Sequence, residues 1–162
     1  MPIFFSYLFN VICNQTIRSL INRAEWDAGL NECCSPKNEN VALFPYSPLA
    51  GGILTGKYAT ELDTSSCRLT LFPGYMARYK QSLAVDAVRK YCACAKSIEL
   101  TPTELALGWC YKQTHVTSTI IGATSVKQLK ENLAAFDESK WKRIDEAKID
   151  EIHKQCKDPS KV

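Results

Sequence analysis

Residues 41–58 read VALFPYSPLAGGILTGKY, a short apolar run followed by a glycine-rich turn that ends at Lys57 and Tyr58. Residues 41–45 have the length and apolar character of a strand buried on both faces, and the turn-like KNEN at 37–40 precedes them. The stretch that follows a strand is where parallel α/β folds place their ligands. There Gly51, Gly52 and Gly56 allow close backbone approach, Ser47 and Thr55 supply hydroxyls, and Lys57 supplies a cation. That set suits an anionic ligand such as a pyrophosphate. It is not a P-loop, because Tyr58 stands where GxxxxGK[ST] requires a hydroxyl. Spacing alone leaves two readings level: an anion-binding loop, or a glycine-rich turn without a ligand.

Working outward, residues 9–15 (FNVICNQ) predict another buried strand. Between the two strands, Ile21, Trp26, Leu30 and Cys33 or Cys34 recur at helical spacing over residues 19–34, and Ser35-Pro36 stops the pattern. Residues 46–81 read as a long loop, with a Thr/Ser-rich stretch at 60–66 and Pro73-Gly74. Ser82 is placed to cap a helix running to Ile98, with Val85, Val88, Cys92, Ala95 and Ile98 as its apolar stripe. Thr101-Pro102-Thr103-Glu104 opens a second helix through Gln113, in the order N-cap, first-turn proline, early acid. Residues 117–123 (TSTIIGA) predict a third strand, and Thr124-Ser125 cap a helix over 126–136. A last amphipathic stretch over 144–156 carries Ile149 and Ile152 on one side. The succession β-α-β-loop-α-α-β-α-α predicts parallel strands with crossover helices, hence an α/β protein. It shows neither a linker nor a repeat, so residues 1–162 read as one domain.

Composition narrows the partners. The chain has 162 residues, suited to one domain but short of the ~250 of a closed (β/α)8 barrel. Hydrophobic residues at 46% and charged residues at 23% exclude intrinsic disorder. A net charge of +3, scattered along the chain, gives no footprint for nucleic acid. The apolar residues 2–13 are too few for the ~20 of a spanning helix and have no basic residues before them, so neither a membrane span nor a signal peptide is expected. Eight cysteines form no CxxC pair, and Cys92 and Cys94 would sit ~200° apart on a helix. With His115 and His153 they make no metal-ligand spacing, so free thiols in a reducing compartment are expected, and no metal.

The second segment with ligand chemistry is GATSVKQLKEN, residues 122–132. A strand running into Gly122 and a Thr/Ser cap exposes helix N-terminal amides, which bind phosphate. An ordinary capped helix would have the same sequence. Taken together, YSPLAGGILTGKY and IIGATSVKQLKENLAAF resemble two signatures of the aldo-keto reductases. The resemblance is closest to the branch of Tas-like proteins and potassium-channel β subunits, and it runs from about Val11 to the C-terminus. It covers the C-terminal half of a family member and implies a partial (β/α)8 barrel, with strands near Val11, Val41 and Thr119 as the sixth, seventh and eighth. It implies NADP(H) as cofactor. Gln15 matches the glutamine that bonds the nicotinamide amide, and Tyr46 matches the aromatic that stacks on its ring. Ser47, Pro48, Leu49, Ala50, Gly51, Gly52, Thr55 and Lys57 match the pyrophosphate loop, and Arg68 more loosely a basic residue near the adenosine phosphates. Gly122 and Thr124 match the cap holding the 2′-phosphate, while Gln128, Glu131 and Asn132 match residues lining the adenine.

The same resemblance implies a gap. Family members reduce aldehydes and ketones with a tyrosine acid, a lysine, an aspartate and a histidine from the N-terminal half of the barrel, and neither His115 nor His153 lies in a matching motif. No residue of this chain is therefore assigned to catalysis, and the chain is expected to be a truncated domain, inactive alone, that handles a carbonyl substrate only when completed. Residues 16–21, TIRSLI, depart from the family's NxYSLL, and residues 1–7 match nothing in the pattern. The alternative is a non-catalytic nucleotide-binding or partner-binding protein that self-associates through exposed barrel edges. The expected compartment is the cytoplasm, or a plastid if a targeting segment precedes this one.

Overall fold

The computed structural model describes residues 13–24, 26–58, 65 and 67–157. Two parallel strands, β1 (Cys13–Ile17) and β2 (Ala42–Tyr46), pair in register, Gln15 opposite Phe44 and Ile17 opposite Tyr46. The molecule is thus a small, unclosed α/β structure. Residues 9–12 of the first expected strand lie outside the described residues. At its other end the strand runs on through the β-branched Thr16 and Ile17, which β2 pairs.

The expected third strand over 117–123 is reduced to an extended segment. It approaches β2 through one parallel bridge, Tyr46 to Ile120, and through main-chain bonds from Thr117 to the Leu43 carbonyl (2.9 Å) and from Ile120 to the Pro45 carbonyl (2.8 Å). The ladder fails for a chemical reason: the Leu43 amide donates to the Thr117 hydroxyl (3.1 Å) and not to a main-chain carbonyl. The order across the sheet is still β1, β2, then this segment.

The helix expected over 19–34 is broken. Ser19 and Asn22 exchange a pair of main-chain bonds as a tight turn, a π-helical turn covers Trp26–Leu30, and Asn31–Cys34 is a single α-helical turn (α1). Gly29 at φ 98° breaks the pattern, and Ser35 turns extended ahead of Pro36 as anticipated. The long loop contains a 3₁₀ segment (Ala50–Thr55), a single helical turn α2 (Arg68–Leu71) and a second 3₁₀ turn (Ala77–Lys80).

Helix α3 (Ser82–Ser97) begins at Ser82 itself. Gln81 is the flanking residue and makes no side-chain cap bond, so Ser82 does not cap. Its buried face is Ala84, Ala87, Val88, Tyr91 and Ala95, rotated slightly from the expected stripe because Tyr91 turns inward to donate to the Leu20 carbonyl (3.0 Å). Helix α4 (Pro102–Tyr111) opens with a complete capping box. The Glu104 amide donates to the Thr101 hydroxyl, and the Thr101 amide donates to the Glu104 carboxylate at 2.8 Å. Helix α5 (Val126–Ala134) is capped by Ser125, α6 (Glu138–Trp141) by Asp137 and α7 (Glu146–Gln155) by Asp145. The α6 turn was not expected; Asp137 two residues before Ser139 was its only signal.

The core lies between α3, α4, α7 and the glycine loop, with Leu20, Ile53, Leu54, Val88, Leu105, Trp109 and Ile149 among its members. Buried α4 approaches α6 closely at Gly108, where a Cβ would lie 3.0 Å from the Trp141 ring. All eight cysteines are free thiols. Among the described residues, no helix is long and apolar enough to cross a membrane.

Glu104 also receives Lys140 from α6 at 2.6 Å, which ties the α4 cap to α6. Burial pushes its carboxyl up, but the Lys140 ammonium and the Thr101 donors outweigh burial and hold it below the ordinary carboxylate range. A carboxyl depressed in the folded state contributes stability that is present above its unfolded pKa and lost as pH falls through its folded one. Glu104→Gln keeps the cap geometry and removes the charge. It should cost about 1 kcal/mol at pH 7, and the difference should begin to shrink as pH falls below about 4 and go on shrinking as pH drops through the depressed folded pKa, in denaturant melts across that range.

Candidate functional site

Parallel pairing puts residues two apart on one strand, and their registered partners, on the same face. Gln15 on β1 and Phe44 and Tyr46 on β2 therefore share one face, while Thr16, Leu43 and Pro45 are buried on the other. The Gln15 face is open: Gln15 is exposed, Tyr46 is 43% exposed, and Ile120, bridged to Tyr46, is exposed beside it. The two expected nicotinamide residues thus share this face, Tyr46 at the C-terminal end of β2 and Gln15 two registered positions before it.

From Tyr46 the chain enters a strained turn. Ser47 and Ala50 hold positive φ (59° and 48°), Gly51 and Gly52 lie in the left-handed region at 69° and 93°, and Gly56 ends the segment at 79°. Such angles cost a non-glycine residue and persist where the surroundings fix them. The Ala50 amide donates to the Ser47 carbonyl (2.9 Å), the Thr55 hydroxyl to the Gly52 carbonyl (2.8 Å), and Ala50, Ile53 and Leu54 anchor the segment in the core. Pro48 and Ala50 are buried, so they shape the loop and offer a ligand main chain only.

The glycines mark where other groups come close. A Cβ on Gly52 would lie 3.3 Å from the Lys57 ammonium, so the ammonium rests in the space a side chain there would fill. Lys57 also lies 5.0 Å from the centre of the Tyr58 ring. A Cβ on Gly51 would meet Met76 at 3.2 Å and Tyr75 at 3.7 Å, and one on Gly56 would meet the Cys92 sulfur at 3.1 Å. Burial pushes the Cys92 thiol up, keeping it neutral beneath the loop. Tyr75 also holds Arg68, whose guanidinium carbon is 5.1 Å from the ring centre, with Nη1 3.4 Å from the hydroxyl. Arg68, from a loose sequence match, is thereby brought to the glycine turn. Tyr75 and Met76 were missed as wall residues; Pro73-Gly74 signalled a turn there but not which side chains it would deliver.

The second segment leaves the sheet next to the first, since Ile120 bridges Tyr46. Its cap is closed upon itself. The Thr124 amide (2.9 Å) and hydroxyl (3.0 Å) both donate to the Gln128 side-chain oxygen, and the Gln128 amide donates to the Ser125 hydroxyl at 3.2 Å. Asn132 is 3% exposed and donates to the Gly122 carbonyl at 3.2 Å, so it pins the turn from beneath, whereas Glu131 is exposed. Neither histidine joins this surface by any bond described. The His153 Nε2 is 3.2 Å from an Asp27 carboxylate oxygen, and the His115 ring lies 6.5 Å from that of Trp26. Among the described residues no group of His, Cys, Asp and Glu gathers as a metal site.

The Gly52–Lys57 cradle tests whether a dinucleotide phosphate suits these residues. It places a lysine cation in the space beside a glycine at one strand end, and a cation so placed fits an anionic cofactor.

Comparison with known proteins agrees with this geometry. The profile of the Aldo/keto reductase family matches residues 8–151. An "Aldo-keto reductase" of Babesia bovis is 40% identical over 147 residues, 89% of this chain and 52% of that protein. "Protein tas" of Escherichia coli K12 is 36% identical over 126 residues, 78% of this chain and 35% of its own length. A "Probable voltage-gated potassium channel subunit beta" of Arabidopsis thaliana is 37% identical over 103 residues, 62% of this chain and 31% of its own. The chain thus spans from about half to a third of the length of these relatives. With both ligand segments inside the matched region, the chain belongs to the aldo/keto reductase family, in the branch of the Tas protein and the potassium-channel β subunits.

Proposed function

We propose that this chain is the NADP(H)-holding part of a reductase acting on aldehydes or ketones, with β1, β2 and the extended segment at 117–121 as strands six, seven and eight of a (β/α)8 barrel. The observation that carries the reading is the Lys57 ammonium resting against Gly52, on a strained turn that starts at Tyr46, the residue that Ile120 of the second segment bridges. Tyr46 and Gln15, on one open face, would take the nicotinamide end, and Ser47, Leu49, Gly51, Gly52, Thr55 and Lys57 the pyrophosphate. Arg68 would lie near the adenosine phosphates.

The adenosine end falls to the Gly122 segment. Gln128 lends a neutral oxygen to two Thr124 donors, and an anionic 2′-phosphate would displace it because charge-assisted bonds are roughly twice as strong. Bound NADPH would supply the hydride. In this reading the proton, and the groups that orient the carbonyl, come from the other half of the barrel. Without a proton donor the developing alkoxide is left unstabilised, and the isolated chain does not turn over.

Titration of the purified chain with NADPH, followed by nicotinamide fluorescence, should saturate, and NADH should bind more weakly. Lys57→Met should weaken NADPH by about tenfold, the scale of one charge-assisted contact. Aldehyde reduction by the chain alone should stay at background. An absence of NADPH binding would overturn this function.

One observation favours a second reading, a nucleotide-binding protein whose work is association. Val126, Leu129 and Leu133, spaced as one face of α5, are all exposed, as are Phe136 just past its end and Tyr46 and Ile120 on the sheet. Apolar surface so arranged would draw a second copy of the chain, closing the open sheet edges. Sedimentation equilibrium should then show self-association that Leu129→Glu with Leu133→Glu abolishes; a parent chain that stays monomeric at high concentration removes this reading.

A further inference from the structure

The run that follows β1 holds an unusual group. Arg18 is 2% exposed, with its guanidinium carbon 3.5 Å from the Trp26 ring centre and 4.3 Å from that of Trp109. Its Nε and Nη1 are buried without a hydrogen-bond partner. The two carboxylates whose charge reaches it are engaged elsewhere: Asp27 lies 3.2 Å from His153 Nε2 and Glu146 3.2 Å from the Lys112 ammonium, while the neighbouring Arg23, 4.4 Å from the Trp109 ring centre, pairs with Asp150 at 2.7 Å. Burial lowers Arg18 to about 10, which leaves it a cation at neutral pH. With Asp27 and Glu146 favouring the cation from beyond ion-pair distance, the groups in direct contact with the guanidinium are the two ring faces.

What the clamp fixes is the main chain beside it. Ile17 opposite Tyr46 is the last registered pair of the two strands, and the next amide, that of Arg18, donates to the Tyr46 carbonyl at 3.2 Å. From the other side the Ile120 amide reaches the carbonyl of Pro45 at 2.8 Å. The start of the glycine turn is therefore gripped by a bond from each neighbour, and the first of them comes from a residue whose side chain is locked between indoles. A guanidinium plate so placed cannot turn without giving up both faces, and the amide it carries is fixed with it.

We propose that Arg18 is a positioning residue for the nicotinamide end of the site: stacked between Trp26 and Trp109, it holds Tyr46 at the end of β2 in the orientation that presents its ring. This rests on the NADP(H) reading above. It differs from a merely structural role in acting on one end of the cofactor only.

The test compares NADPH with adenosine 2′,5′-bisphosphate, which lacks the nicotinamide, by calorimetry on the purified chain. The parent chain should bind both, NADPH more tightly. Arg18→Met, which keeps an apolar stem between the indoles, should weaken NADPH by about fivefold, the scale of one ordinary hydrogen bond, and leave the bisphosphate within about twofold. Arg18→Lys, charged but without the plate, should resemble Arg18→Met. Trp26→Leu removes one face of the clamp and leaves residue 18 intact; it should give the same selective loss, and it carries the test if Arg18→Met does not fold. Equal loss of both ligands, or no loss of either in a folded variant, overturns the proposal. A parent chain that binds neither ligand overturns the NADP(H) reading itself, before any variant is made, and this proposal with it.

Discussion

Tyr46 sits at the junction of three extended segments, and the remainder of the site depends on how its backbone is held. Its carbonyl accepts from Arg18 after β1, it bridges Ile120 on the other side, and Pro45 just before it accepts the Ile120 amide. Backbone groups at the end of a short parallel ladder are otherwise left to water, so a two-stranded sheet of five residues per strand would fray here. Bonds on both sides remove that freedom and fix the direction in which the chain enters the glycine turn. The positive φ angles at Ser47 and Ala50 follow within four residues, and they are tolerable because the turn's exit is also anchored by Ile53 and Leu54 in the core.

The helical layer serves the same end by close approach. Gly56 lies over Cys92 of α3 and Pro102 of α4, so the loop is seated where those two helices meet. Gly108 lets α4 approach Trp141, whose ring nitrogen donates to the Ala135 carbonyl at the end of α5 (2.8 Å). Tyr111, Phe136 and Trp141 complete that corner with ring centres 4.9–6.1 Å apart, the Phe136 contacts edge-on. One helix therefore positions both ligand segments: α4 touches the glycine loop at its start and the α5–α6 connection further along. A volume change in α4 would be felt at both, since a close-packed interior transmits displacement.

The parts legible in the sequence were those set by local chemistry. Thr101-Pro102-Thr103-Glu104 announced a capped helix because every group in a capping box lies within four residues, and the same holds for Ser125 ahead of α5. The strand before Tyr46 and the glycine turn were visible as well, since apolar runs and glycine spacing are local properties. What failed depended on partners far along the chain. The third strand looked complete from its β-branched residues, but whether Leu43 bonds a carbonyl or the Thr117 hydroxyl is decided across 74 positions. The helix expected over 19–34 carried the right period, and the single glycine at 29 together with the Ser19–Asn22 turn overrode it. The burial of Asn132, its amide donating to the Gly122 carbonyl, is likewise set by tertiary packing that no spacing displays.

The departure at residues 16–21 gains meaning from the same contrast. From sequence, Arg18 is only one residue of the departure TIRSLI at 16–21. Its burial between Trp26 and Trp109 requires two indoles that lie 83 positions apart in the chain, together with Tyr91 donating to the Leu20 carbonyl to hold the intervening turn. A buried cation without a paired carboxylate is a net cost unless its environment offsets desolvation, and an apolar residue of similar volume would fill the gap more cheaply. An apolar side chain, however, would make no directional stack, and the amide beside it would be free to swing with the loop. The charge is thus best understood through rigidity: the aromatic faces confine a planar group, and the planar group confines the one amide that meets Tyr46 from the β1 side.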